Sequence, residues 1–173
     1  SIIHTLFKAG QIDIDYLVRY TNAPFLINGT PNSQNTGLFL KDPDGKPLVL
    51  DKESKKAVPF DKPNIKASLT DTYADGNGTH KTVFALMAEK YLSGQYCPTK
   101  TAKIIGIDAD QIVKIANELA NVAFKEEITI DQEWTDWKGQ HHKQMIGRPV
   151  SFHAMRGISA HSNGFQTCRS LHL

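Results

Sequence analysis

Arg148-Pro149-Val150-Ser151-Phe152-His153-Ala154-Met155-Arg156-Gly157-Ile158-Ser159-Ala160-His161-Ser162-Asn163-Gly164 leads into the last nine residues, Phe165 to Leu173. The apolar stretch 150–155 reads as a strand, 157–164 as a small-polar turn, and 165 onward as a helix. Strand, Gly/Ser turn, helix is an order that aims backbone N–H groups at an anion. The residues this reading singles out are Gly157, Ser159, His161, Asn163 and Gly164. The glycines let backbone approach a phosphate or a ring closely, and Ser, His and Asn supply hydrogen-bonding groups. The same stretch also fits an ordinary turn with Ser162 or Asn163 as helix N-cap. It is not a Walker loop, because no Gly-Lys-Ser/Thr follows, and Gly157 and Gly164 lack the GxGxxG spacing.

Working back from this tail, residues 127–130 read as a second strand, rich in β-branched Ile128, Thr129 and Ile130. Between the two lies a polar insertion, 131–148, holding Trp134, Trp137, His141 and His142. Upstream is the strongest helix pattern in the chain. Asp108 stands as N-cap with Gln111 three residues on, and Ile112, Ile115, Ala116 and Leu119 form a stripe for burial. Further helices are predicted over 2–9, stopped by Gly10, over 14–20, over 79–92, and from Pro98. Phe25-Leu26-Ile27 reads as extended, and residues 28–78 as an irregular excursion. Within that excursion, Leu38-Phe39-Leu40 and Leu48-Val49-Leu50 flank Asp42-Pro43-Asp44-Gly45, a hairpin signal. Strands preceded and followed by helices predict an α/β fold with a parallel-sheet layer flanked by helices.

The composition is ordinary for a globular domain: 173 residues, 40% apolar and 22% charged, enough for a core without staples. A net charge of +2 implies no general pull toward nucleic acid. No apolar run reaches membrane-spanning length, so no membrane insertion by this chain is expected. Cys97 and Cys168 form neither a CxxC nor a zinc-like spacing, and they read as free thiols. The chain opens inside an apolar helical run and closes inside a helix, which reads as one α/β piece, 1–173, of a larger multidomain protein.

Other constellations point less sharply. The seven histidines show no HExxH or similar spacing, so no metal site is expected. His141 and His142, if extended, point opposite ways from a surface loop, and His153 reads as a sheet histidine. Asp131-Gln132-Glu133-Trp134-Thr135-Asp136-Trp137 offers paired carboxylates beside aromatics for acid–base work or sugar binding, or a loop that packs its Trp rings down. Asp131, just after a strand, is also placed as a ribose ligand would be in an α/β fold. No nucleophile motif supports a catalytic residue in this chain.

Three stretches, in order, resemble the molybdopterin oxidoreductases of the dimethyl sulfoxide reductase family. They are Ile3-His4-Thr5-Leu6 with Asp13-x-Asp15-Tyr16-Leu17-Val18-Arg19-Tyr20-Thr21-Asn22-Ala23-Pro24, then Ala102-Lys103-Ile104-Ile105-Gly106-Ile107 running on to Ala120, and the turn Arg156 to Gly164. The resemblance implies a fragment of a large catalytic subunit that carries a molybdopterin guanine dinucleotide cofactor with molybdenum or tungsten. It implies an iron–sulfur cluster elsewhere in the parent, an iron–sulfur electron-transfer subunit as partner, and a small oxoanion or sulfur compound as substrate. Gly157, Ser159, His161, Asn163 and Gly164 would then lie beside the pterin or its pyrophosphate, with Ala160 where the family's motif has glutamine. The insertion and the hairpin suggest a subgroup acting on sulfite, thiosulfate or polysulfide. The compartment stays open between bacterial cytoplasm and periplasm, with membrane association through partners. The residues taken alone also fit a self-contained nucleotide- or phosphate-binding α/β module, or a non-catalytic interaction module whose contact surface is the Trp134–His142 loop.

Overall fold

A computed structural model describes residues 1–136, 139–153 and 156–171. Trp137, His172, Leu173 and the end of the expected strand at 154–155 lie outside the described residues. The chain forms two compact units, Ser1–Ala116 and Asn117–Leu173.

The first unit opens with two short helices, α1 (Ile2–Lys8) and α2 (Ile14–Tyr20). Asp13 caps α2, its carboxylate accepting the Tyr16 N–H at 2.9 Å. After Pro24 come β1 (Leu26–Ile27), β2 (Leu48–Leu50) and β3 (Ala57–Pro59). These are followed by β4 (Tyr73–Ala74), β5 (Thr79–Thr82) and the helix α3 (Val83–Leu92). β5 lies between β1 and β4, both antiparallel to it, and β2 pairs antiparallel with β3. The Asp42–Gly45 turn forms as expected: Gly45 donates to the Asp42 carbonyl at 3.0 Å with φ +83°. Its flanks meet through a single bridge, Lys41 with Pro47, however, and the regular partner of β2 is β3.

Residues 79–82 depart from the expected helix. His80 and Thr82 alternate inward on β5, both fully buried, and Thr82 then caps α3 by accepting the Ala85 N–H at 3.0 Å. The pairing that decides this is long-range, Leu26 opposite Thr82 and Ile27 opposite Lys81. Along the same line Asn28-Gly29-Thr30 runs against Asn77-Gly78-Thr79. A Cβ on Gly29 would fall onto the Thr79 carbonyl, and one on Gly78 would lie a tight 3.0 Å from the Gly29 carbonyl oxygen, so the close approach depends on glycine at 29. The apolar core gathers Ala23, Leu69 and Phe84, with Phe7, Ile12, Leu17 and Val18 packed against it, and the rings of Phe7 and Phe84 are 5.4 Å apart.

Asp51 ties down the turn after β2. One carboxylate oxygen accepts the Ser54 hydroxyl at 2.6 Å and its N–H at 3.0 Å, and the other accepts the Lys66 N–H at 3.2 Å. These bonds, the Ser54 hydroxyl first, hold its pKa at about 2. A carboxylate depressed in the folded state contributes stability that is complete above the unfolded value of 3.8 and is lost as pH falls through about 2. We therefore expect Asp51→Asn to melt below the parent at neutral pH, the gap closing between about pH 4 and pH 2. Thermal melts across that range check this; a gap independent of pH would contradict it.

Next come α4 (Pro98–Ile105), ended by left-handed Gly106, and α5 (Ala109–Lys125). Ile112, Ala116 and Ala120 are buried at i, i+4 and i+8 on α5, whereas Ile115 stands 38% exposed, so the stripe is narrower than its sequence suggested. The second unit then carries β6 (Ile128–Ile130), β7 (Trp134–Thr135), β8 (His141–His142) and β9 (Met145–Gly147). Two short helices end it, α6 (Arg156–Ser159) and α7 (Gly164–Ser170).

The fold is thus mixed helix and sheet. Every ladder among the described residues is antiparallel, and the expected parallel layer is not among them. The reason is local in the second unit: β7 and β8 close a tight hairpin, which returns the chain antiparallel along β6. The insertion 131–148, expected as a loop, carries three short strands, β7, β8 and β9, joined by irregular segments. Residues 150–153, read as a strand, have no ladder partner.

Candidate functional site

The tail differs from strand–turn–helix. Gly157 and Ser159 sit inside α6, and two helical segments flank a bend at 160–163. The Ser159 hydroxyl donates to the Arg156 carbonyl at 2.8 Å, and the Gly164 N–H donates to the His161 carbonyl at 2.8 Å. Asn163 occupies the N-cap position of α7, but its side chain makes no capping bond. The side chains of Ser159, His161 and Asn163 are exposed, and Gly164 is buried. The two glycines have opposite roles. A Cβ on Gly164 would run into the Ser159 backbone, with its Cα at 2.8 Å, so this residue lets the bend close on itself. A Cβ on Gly157 would meet nothing within 4 Å, so its backbone can be approached from outside.

Charge separates this region from the rest. Of 20 basic and 18 acidic residues, five basic ones and none of the acidic ones follow Asp136: Lys138, Lys143, Arg148, Arg156 and Arg169. A net charge of +2 conceals this asymmetry, which a count by segment would have found. The exposed side chains of His161 and Asn163 and the guanidinium groups at Arg156 and Arg169, in a segment of sequence without acidic residues, suit an anionic, acceptor-rich ligand such as a pyrophosphate. With its side chains at the surface, the bend would form one wall of such a site.

The histidines fall into separate settings. Among the described residues no three His, Cys, Asp or Glu side chains gather as a metal cluster. His4 donates from Nδ1 to the Tyr91 carbonyl at 2.7 Å. His80 accepts the Gly29 N–H at Nδ1, 3.1 Å, stacks on Tyr73, and stands 3.3 Å from the Asp75 carboxylate at Nε2, close but poorly aligned for a hydrogen bond. The Asn77 backbone N–H first, then His80, keep Asp75 below the usual carboxylate range. His153 is exposed and lies in no ladder, contrary to its reading as a sheet histidine.

On the β7–β8 hairpin, His141 and His142 do face opposite ways, although from a strand pair and not a loop. His142 stacks on Trp134 with ring centres 4.6 Å apart and meets Asp136 at 3.1 Å, while His141 lies 3.7 Å from Glu133. Trp134 donates to the Gln144 carbonyl at 3.1 Å, so the ring packs down on its own hairpin. Asp131 is exposed after β6, in an antiparallel pair that is not the setting of a ribose-binding carboxylate. Cys97 and Cys168 are both free thiols. No helix of the described residues is long and apolar enough to cross a membrane.

No protein-family model matches the chain. It is 37% identical, over 182 aligned residues, to a protein of Allochromatium vinosum named as a sulfite dehydrogenase subunit. The alignment takes in 99% of this chain and 18% of that protein, so the chain spans less than a fifth of the curated relative's length.

Proposed function

We propose that the chain is part of the catalytic subunit of a molybdenum- or tungsten-dependent molybdopterin oxidoreductase acting on sulfite or a similar sulfur oxoanion. The observation that carries this reading is the 37% identity of nearly the whole chain to part of a sulfite dehydrogenase. The family resemblance of the three stretches and the donor-bearing tail, free of acidic residues in sequence, support it. The role of this part is to hold and orient, not to react: when bound, the cofactor would supply two-electron chemistry at its metal. The Gly157 backbone would allow close approach. Ser159, His161 and Asn163 would hydrogen-bond the pterin or its pyrophosphate, and Gly164 would set the bend that presents them. An iron–sulfur subunit is the partner this chemistry calls for, with electrons leaving through clusters outside this chain.

The full-length protein carrying Ser159→Ala, His161→Ala and Asn163→Ala together tests the site. The three side chains are exposed, so the fold should survive. At about 1 kcal/mol for each lost hydrogen bond, cofactor retention should weaken on the order of a hundredfold. Metal and guanine nucleotide content equal to the parent's after extended dialysis would remove these residues from the site.

A further inference from the structure

The pair β6–β9 presents apolar side chains on both of its faces. Ile130 stands opposite Met145, Thr129 opposite Ile146, and Ile128 opposite Gly147. Directly opposed residues share a face, so Ile128, Ile130 and Met145 lie on one side and Ile146 with Thr129 on the other. All four large apolar residues are open to solvent: Ile128 by 48%, Ile130 by 45%, Met145 by 39% and Ile146 by 55%. None of the six strand residues is charged. Both outer edges lack a further strand among the described residues. The ladder is fastened at one end, where Arg148 donates to the Ala123 carbonyl at 2.6 Å and lies over the Phe124 ring at 5.7 Å.

A lone two-stranded ladder is marginal in water. Strands that are apolar on both faces, with no charge to guard their edges, have the pattern of strands inside a covered sheet. We infer that β6 and β9 are inner strands of a larger sheet, completed and covered by segments of the same full-length polypeptide outside residues 1–173. The occupant follows from chain length: the relative aligned with nearly all of this chain carries most of its residues outside the aligned stretch. This inference rests on the reading that the chain is part of such a larger protein.

Hydrogen–deuterium exchange on the full-length protein tests it. Amides of residues 128–130 and 145–147 should exchange on the order of a hundredfold or more slowly than expected for an open ladder, independent of protein concentration. Ile130→Lys in the full-length protein should release that protection, whereas Lys114→Ala, on the solvent side of α5, should leave it intact. Fast exchange in the full-length protein would overturn the inference, as would protection that appears only when two copies associate. Metal analysis of the same sample separates the two ideas. Fast exchange in a metal-loaded protein defeats the sheet alone, and slow exchange in one that never holds metal or pterin defeats the functional reading alone.

Discussion

Gly29→Ala is expected to lower stability by about 3 kcal/mol. A Cβ there would fall onto the Thr79 carbonyl, whose carbon lies 3.0 Å away. The obstacle is backbone, so no side-chain rotation relieves it. The facing Gly78 is less confined, its Cβ position 3.0 Å from the Gly29 carbonyl oxygen and from the Thr30 Cα. Pushing the strands apart also withdraws the Gly29 N–H from His80 Nδ1, leaving a fully buried ring without that donor. Gly76→Ala is the matched control: its Cβ meets nothing within 4 Å, and the change should stay within about 0.5 kcal/mol. Urea unfolding of the two variants checks this. Equal midpoints would mean that the two Asn-Gly-Thr segments are not locked together.

Gly164→Ala should open the bend between α6 and α7 at a cost of about 2–3 kcal/mol. The added methyl collides with the Ser159 carbonyl group, a backbone obstacle of the same kind as at Gly29. Gly157→Ala is expected to do the reverse. Its Cβ stands in open space, and alanine is the better helix former by up to about 1 kcal/mol, so the free chain should be as stable or more so. Under the proposed function that methyl would stand where the cofactor approaches, and cofactor retention by the full-length protein should fall. Amide exchange over residues 156–171, paired with metal content, distinguishes the two variants. If Gly157→Ala left metal content unchanged while Gly164→Ala altered nothing in exchange, the roles assigned to both glycines would be wrong.

Features set by near neighbours were legible in the sequence. Asp13 announces α2 because its carboxylate reaches an N–H three residues on, and Asp42 to Gly45 announce a turn because glycine takes the positive φ there. What depends on distant partners was not. Residues 79–82 carry a pattern that suits helix or strand, and their ladder partners settle it: Tyr73 and Ala74 opposite His80 and Thr79, and Leu26 and Ile27, more than 50 residues earlier, opposite Thr82 and Lys81. Residues 150–153 have strand composition but no ladder beside them, and composition cannot supply a partner. At the candidate site, residue types were legible and geometry was not. The Gly/Ser/Asn content of residues 157–164 suggests a turn by propensity, yet Gly157 and Ser159 take a helical turn that packs on Gly164. The parallel layer inferred from helix–strand alternation missed the β7–β8 hairpin, since Trp134 and His142 pair through ring stacking that periodicity does not register.

The most direct measurement is the metal and nucleotide content of the full-length protein purified from cells supplied with molybdate or tungstate. The account predicts close to one molybdenum or tungsten per polypeptide, guanine nucleotide released on acid hydrolysis, and sulfur-oxoanion oxidoreductase activity that disappears when the metal is removed. Full activity in a protein holding neither metal nor pterin would contradict it.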